Sequence, residues 1–262
     1  MTIPANRAAL RQFEGIAPPA RPEGAAWALF LDFDGTLIDI AMTPDSVVVP
    51  PKLRGILAAC IEAFGGAVAI VSGRPISTLD ALLDPLKLPA AGLHGLELRM
   101  PDGTVEEAAH RTSGLAGLRA RFRALAREDA RLVVEDKGSS LALHFRRAPE
   151  RERELRELVA GVATPHDSHH VMHGKMVLEV RPAHADKGSA IARFLETSPF
   201  AGRKPVFAGD DITDEDGFAV VNRHGGISIK VGAGESAAAC RVLDVASLHD
   251  WLAGIARARG GD

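Results

Sequence analysis

Apolar residues in this chain gather into short unbroken runs with amphipathic stretches between them. The runs 27–33, 67–71 and 205–208 have the length of strands, and continuous apolar runs suit strands buried on both faces of a parallel sheet. Within 51–64, Leu53, Ile56, Leu57 and Ile61 recur at helical spacing, and Gly65-Gly66 closes the segment as glycines past a helix do. A helix over about 75–83 leads to a short apolar segment at 90–93. This β-α-β-α alternation predicts a doubly wound, Rossmann-like α/β sheet.

The pattern then changes. Residues 115–127 read as a basic amphipathic helix, followed by strands at 132–135 and 141–145 around Lys137-Gly138. A charged helix over 150–162 precedes strands at 171–172 and 176–180 around His173-Gly174. The α-β-β unit thus occurs twice, and tight turns between strands predict an antiparallel sheet with helices on one side. After Pro182 the α/β rhythm returns, with a helix at 187–195, a strand at 205–208, a helix at 216–222 and a final strand at 227–231. The expected organisation is a loose leader over 1–24, an α/β core from 25–109 and 184–262, and an inserted α+β domain of αββαββ type over 110–183.

Composition narrows the partners. Of 262 residues, 46% are hydrophobic and 25% charged, and the net charge of −3 lacks the basic excess of a nucleic-acid binder. The arginines of the insert alternate with glutamates over 150–157, as on solvated helix faces. His166, His169, His170 and His173 read as a solvated loop. Cys60 and Cys240 read as apolar thiols in a reducing compartment. No apolar run approaches the ~18 residues of a membrane helix. Residues 1–23 lack the apolar stretch of a signal peptide, so a cytoplasmic location is expected.

The sharpest chemical signal is Asp32-Phe33-Asp34-Gly35-Thr36-Leu37, where a buried strand ends. Residues two apart on an extended strand point the same way, so both carboxylates can face one ligand, and Gly35 allows a sharp turn beside it. Mg²⁺ takes one or two carboxylates plus phosphate oxygens, and a carboxylate can attack phosphorus. A pair of solvated acids in a turn is the alternative. Ser72, in the turn Ser72-Gly73-Arg74 after the second strand, suits either a helix cap or an anion site. In 210–216, five of seven residues are acids that repel one another without a cation. Asp210 is the expected side-chain metal ligand together with Asp32, with Asp211 and Asp214 further ligands through water. Thr213 with Asp216 resembles a capping box, which leaves Glu215 and Asp216 to capping and solvent.

Asp32-Phe33-Asp34-Gly35-Thr36-Leu37 resembles the signature of the haloacid dehalogenase (HAD) superfamily of phosphotransferases. The resemblance implies that Asp32 is the nucleophile and that Asp34 is the general acid/base, lending its main-chain carbonyl to the metal. It further implies that Ser72, Gly73 and Arg74 bind phosphate, and that Lys187 neutralises phosphate and nucleophile. The run from Pro205 to Phe218 is similar to that of trehalose-6-phosphate phosphatases. So are Gly92-Leu93-His94-Gly95, the stretch Glu135-Asp136-Lys137-Gly138-Ser139 with His144 and Arg146, and Gly174-Lys175 leading to Glu179-Val180-Arg181-Pro182. That likeness implies a Mg²⁺-dependent hydrolase of a sugar phosphate with a functional link to trehalose-6-phosphate synthase. Glu135, Lys137, Ser139 and Glu179 would hold the sugar from a lid hinged near 107–112 and 181–185, and His94 and Gly95 would face it from the core. Read without the likeness, Glu135 and Lys137 are a surface ion pair and His94 a solvated turn residue. Phosphatases for sucrose phosphate or mannosyl phosphoglycerate, and a silent regulator of the synthase, are the alternatives. The presence of both Asp32 and Asp34 speaks against the last.

Overall fold

The computed structural model describes residues 16–20, 26–40, 47–107, 115–136, 141–160, 169–174, 176–182 and 186–259. Its contacts divide the chain into two compact units, Met1–Glu106 with Asp186–Asp262, and Glu107–Ala185.

The first unit is built on β1 (Trp27–Leu31), every residue of which is buried. Alternation along the strand sends its residues into two cores. Trp27, Leu29 and Leu31 pack with Leu53 and Leu57 of α1 (Pro51–Ala63) and with Leu248 and Leu252 of α7 (Val245–Arg259). Ala28 and Phe30 pack on the other face with Ile191 and Phe194 of α5 (Lys187–Leu195) and Phe218 and Val221 of α6 (Glu215–Arg223). Helices on both faces explain why the run is apolar without interruption. α2 (Ile76–Leu83) completes this unit's helices among the described residues.

The remaining strands of the sheet are β2 (Val68–Val71), β3 (Ala90–Gly92), β4 (Glu97–Arg99), β5 (Val105–Glu107), β10 (Lys204–Gly209), β11 (Ile227–Val231) and β12 (Cys240–Val242). Their order is β12-β11-β10-β1-β2-β3-β4-β5. Pairing is parallel from β12 through β3, and β4 runs antiparallel to β3. Leu31 lies opposite Ala208, so Asp32 and Asp210 leave neighbouring strands at the same end of the sheet. Ser72 leaves β2 at that end as well.

The strand at 227–231, expected to be the last, is followed by β12 and by α7, whose Leu248, Leu252 and Ile255 are buried at helical spacing. The segment read as a loose leader carries two tethers: Arg241 N–H donates to the Ile16 carbonyl and Trp251 Nε1 to that of Pro19, each at 2.9 Å. Both cysteines are free thiols, and burial pushes that of Cys60 up to about 12.

The second unit contains α3 (Leu115–Glu128), β6 (Val133–Asp136), β7 (Leu141–His144), α4 (Glu152–Ala160), β8 (His169–Gly174) and β9 (Val177–Pro182). Its sheet is antiparallel in the order β6-β7-β9-β8. Leu118 and Phe122 of α3 and Leu155 and Val159 of α4 pack on Leu141, Leu143, Leu178 and Val180, which share one sheet face. β8 starts earlier than the expected strand, so His169, His170 and His173 belong to a strand and not to a loop. His166 lies outside the described residues.

Candidate active site

Asp32 follows the last residue of β1 and is 4% exposed. After it, Phe33 returns to the core, and its carbonyl accepts from the N–H groups of Leu37 and Ile38. This tight loop needs Gly35 at φ +78°, with no Cβ, because a Cβ there would come within 2.2 Å of Asp210 Oδ2. The carboxylate of Asp210 is thereby brought against the Asp32 loop, and Thr36 Oγ1 donates to its Oδ1 at 3.2 Å.

Lys187 opens α5. Its preceding residue, Asp186, caps the helix, accepting from Ser189 N–H at 2.6 Å while Ser189 Oγ accepts from Asp186 N–H. A cation in the first turn opposes the helix dipole, so its place needs compensating anions. Lys187 Nζ donates to Asp32 Oδ1 at 2.8 Å and to Asp214 Oδ1 at 2.7 Å, and it is 2% exposed. The second oxygen of Asp214 accepts from the N–H groups of Asp210 (2.9 Å) and Asp211 (3.0 Å). A Cβ on Gly209 would fall 2.2 Å from Asp214 Cγ, so the turn closes only around glycine.

Carboxylate oxygens of Asp32, Asp210 and Asp214 lie within 4.8 Å of one another, a group able to hold a metal ion. The carboxylates of Asp34 and Asp211 are not part of it. Asp211 instead caps the 3₁₀ turn Ile212–Asp214, accepting from Thr213 N–H and Oγ1 at 2.8 and 2.7 Å. This corrects the expected Thr213–Asp216 box, because the helix starts through a 3₁₀ turn that moves the cap two residues upstream. Glu215, assigned to capping and solvent, accepts from Ala237 N–H at 2.8 Å.

Burial dominates the electrostatics. It raises Asp32 to about 6 against the pull of Lys187. Asp210 rises to about 6 and Asp214 to about 7, through burial first and neighbouring carboxylates second. Burial lowers Lys187, but the charges of Asp32, Asp214 and Asp211 outweigh it and carry the ammonium well above the usual lysine range. Burial raises Asp211 too, but Lys187 and the Thr213 hydrogen bonds bring it below the ordinary carboxylate range. A further buried cation, Lys230 on β11, donates to the Asp210 main-chain carbonyl. Sequence reading missed it, although a lysine inside the apolar run Ile-Ser-Ile-Lys-Val was a visible signal.

The Ser72 turn is knit by the main chain. Ser72 Oγ accepts from Arg74 N–H at 3.1 Å, and His94 N–H donates to the Ser72 carbonyl at 3.0 Å. Leu93 and His94 are both left-handed, at φ +49° and +57°, a conformation disfavoured for side-chain-bearing residues. The His94 ring lies over Gly73, where a Cβ would meet Nε2 at 2.6 Å. Gly95, at φ +99°, backs onto the Asp186 carbonyl. These three residues therefore brace the Ser72 turn against the start of α5. The first N–H of α2, at Ile76, donates to Glu97 Oε2 at 2.9 Å and so is not available to an anion. Arg74 turns its guanidinium to Asp34, with Nε–Oδ2 at 2.6 Å and Nη2–Oδ1 at 2.7 Å.

The Trehalose-phosphatase family model matches residues 30–245, a span that takes in both acidic loops, the Ser72 turn, Lys187 and the insert. The chain belongs to the trehalose-phosphatase family. It is 48% identical over 209 residues to a probable trehalose-phosphate phosphatase of Sinorhizobium fredii, covering 79% of this chain and 78% of the relative. It is 40% identical over 229 residues to the trehalose-6-phosphate phosphatase of Escherichia coli K12, covering 87% and 86%. The solved structure of Aspergillus fumigatus trehalose-6-phosphate phosphatase superposes with a TM-score of 0.69 at 26% identity, covering 89% of this chain and 94% of that one.

The remaining expected residues lie in the second unit. Glu135 pairs across the sheet with Ala142, and Ala142 with Glu179, so all three share the face away from the unit's core. His144 Nε2 lies 3.1 Å from Glu135 Oε2. Glu179 Oε1 is shielded from solvent and has no hydrogen-bond partner among the described residues, an acceptor open to a donor from a ligand. Lys137 and Ser139 lie outside the described residues.

Proposed function

We propose that this protein hydrolyses trehalose 6-phosphate to trehalose and inorganic phosphate through an acyl phosphate on Asp32. The observation that carries the reading is the buried Asp32, held by Lys187 and set beside Asp210 where two parallel strands end. A carboxylate fixed by a buried ammonium presents its other oxygen in one direction, as an in-line nucleophile must. Lys187 also offsets charge that spreads over the phosphoryl oxygens. Ser72 and the Gly73-Arg74 turn bind those oxygens from the β2 side. Asp34 gives a proton to the leaving sugar oxygen and then takes one from the water that cleaves the acyl phosphate.

The donor set suits Mg²⁺. Asp32 and Asp210 would hold it through carboxylates and Asp34 through its main-chain carbonyl, with Asp211 and Asp214 further out. When bound, the ion supplies positive charge to the phosphoryl group. The raised carboxylates of Asp32 and Asp210 are consistent with a cation, since burial first, and then Asp210 beside Asp32 and Asp211 and Asp214 beside Asp210, oppose their ionisation without one.

Family membership supports the sugar, and the orphan acceptor of Glu179 supports a ligand rich in hydroxyls. Glu135, Glu179, Lys137 and Ser139 bind its hydroxyls, with His94 and Gly95 bracing the phosphate turn. The enzyme consumes the product of a trehalose-6-phosphate synthase in the cytoplasm. No described helix is long and apolar enough to cross a membrane.

Phosphate release from trehalose 6-phosphate, glucose 6-phosphate and sucrose 6-phosphate, with Mg²⁺ or EDTA, tests this reading in wild type and Asp32→Asn. The expected result is Mg²⁺-dependent preference for trehalose 6-phosphate, abolished in the variant. Preference for another ester would overturn the substrate assignment. Activity retained by Asp32→Asn would overturn the acyl phosphate.

A further inference from the structure

Arg74 touches both halves of the chemistry. Its main chain belongs to the phosphate turn: its N–H rests on Ser72 Oγ, and its carbonyl accepts from Leu93 N–H at 3.1 Å. Its side chain covers both oxygens of Asp34 in a bidentate pair at 2.6 and 2.7 Å. The Arg74 side chain is 13% and the Asp34 side chain 37% exposed, so water reaches the carboxylate while the fork holds it, and short, parallel N–H···O bonds of this kind are among the strongest between side chains. The fork grips both oxygens and so fixes where the Asp34 carboxylate points, and the carboxylate turns to a leaving group only when the fork lets go. A phosphoryl dianion seated at the Ser72-Gly73 turn offers the same fork a more highly charged partner.

We propose that Arg74 is a positioning residue acting through Asp34. It holds the carboxylate beside the phosphate turn and releases it to the leaving oxygen when the phosphoryl group takes over its guanidinium. Release of Asp34 is thereby tied to occupancy of the turn. In the step that follows, Asp32 attacks phosphorus and the P–O bond to the sugar breaks with its electron pair on the sugar oxygen. That oxygen takes the proton Asp34 has drawn from solvent. The inference rests on the reading of Asp34 as acid/base. It departs from the assignment of Arg74 to phosphate binding alone, because it makes the contribution of Arg74 depend on how much the leaving group needs a proton.

Single-turnover kinetics with two esters separate these roles. Trehalose 6-phosphate releases an alkoxide that needs a proton, whereas 4-nitrophenyl phosphate releases a phenolate that does not. Arg74→Gln and Arg74→Lys, the latter keeping charge without the fork, are compared with wild type and Asp34→Asn. Both Arg74 variants are expected to slow the phosphorylation step for both esters, since each phosphoryl group loses the fork, but about 10²-fold more for trehalose 6-phosphate than for the nitrophenol burst, the scale of general acid catalysis. Equal losses on both esters, or no loss on either, would overturn the proposal.

A measurement on the wild type stands independently of the variants' folding and of turnover. The ¹⁵Nε–H signal of Arg74 is expected to shift on saturation with inorganic phosphate. A signal unmoved by phosphate would overturn the handover. If wild type hydrolyses neither ester, the proposed function fails instead, and the NMR result still decides whether phosphate takes over the fork.

Discussion

Lys187 and Asp32 form an ion pair at 2.8 Å from which both side chains are almost wholly shielded from water. The same ammonium holds Asp214, so one cation fixes the candidate nucleophile and the bracket of the second acidic loop. Lys187→Met keeps much of the volume and removes the charge. Phosphate release is expected to fall at least about 10²-fold, as for loss of a charge-stabilising donor. Stripping the partner from two buried carboxylates is expected to lower stability by about 3–5 kcal/mol at neutral pH. Urea unfolding checks the second figure, and unchanged stability would show that the pair is not held as described.

Three carboxylates set a pH dependence. Asp32 and Asp210 are raised to about 6 and Asp214 to about 7, so the folded chain retains protons that the unfolded chain releases above about pH 4. Their contribution to stability is therefore full below about pH 4 and is lost as pH rises through 6 to 7. His249, held below the ordinary histidine range by burial, acts in the opposite sense below about pH 6.5, one group against three. In EDTA, the melting temperature should fall between pH 5 and 8. Mg²⁺ should flatten that fall by substituting for the protons. A melting temperature independent of pH in EDTA would contradict the buried acidic cluster.

Gly35→Ala tests the closeness of the two acidic loops. The added methyl would sit 2.2 Å from Asp210 Oδ2 on a backbone at φ +78°. Asp210 must swing away, and the strained backbone adds about 1–3 kcal/mol of destabilisation. The Mg²⁺ concentration for half-maximal activity is expected to rise at least tenfold. An unchanged value would remove Asp210 from the metal site.

Glu179→Ala separates sugar recognition from phosphate chemistry. The KM for trehalose 6-phosphate should rise about tenfold, the scale of losing one charged hydrogen bond, with 4-nitrophenyl phosphate turnover unaltered. Because Oε1 has no partner among the described residues, the variant should melt no lower than wild type. Equal losses on both esters would assign Glu179 to the fold.

The legible parts of the fold were those with a strong physical period. β1 and β2 are apolar without a break because helices cover both faces, β10 carries its apolar run behind Lys204, and α1 shows its stripe. β4, β5 and β12 are three residues each, too short for any period to register. α7 carried a readable stripe at Leu248, Leu252 and Ile255, which was passed over.

At the site, Asp32 and Asp210 stood out as acids ending buried strands, whereas Lys187 was found only through resemblance. The Arg74–Asp34 pair was not legible. Its members are 40 residues apart, and they meet only because β1 and β2 lie side by side. The cap at Asp211 was missed because helical spacing assumes an α-turn where the chain makes a 3₁₀ one.

The pairing of β1 with β10 also sets a schedule. The strand ending at Leu31 must wait for a neighbour that begins at Lys204, with the whole second unit translated in between. On the ribosome, Asp32, Lys187 and Asp214 emerge in that order, so no nascent chain that stops short of Asp214 contains all three. Pairings this distant in sequence form slowly, because the loop entropy is lost before the contacts reward it. Until β10 docks, β1 presents an apolar edge with no partner on that side. The stretch of synthesis between the two strands is when this chain most needs protection from aggregation.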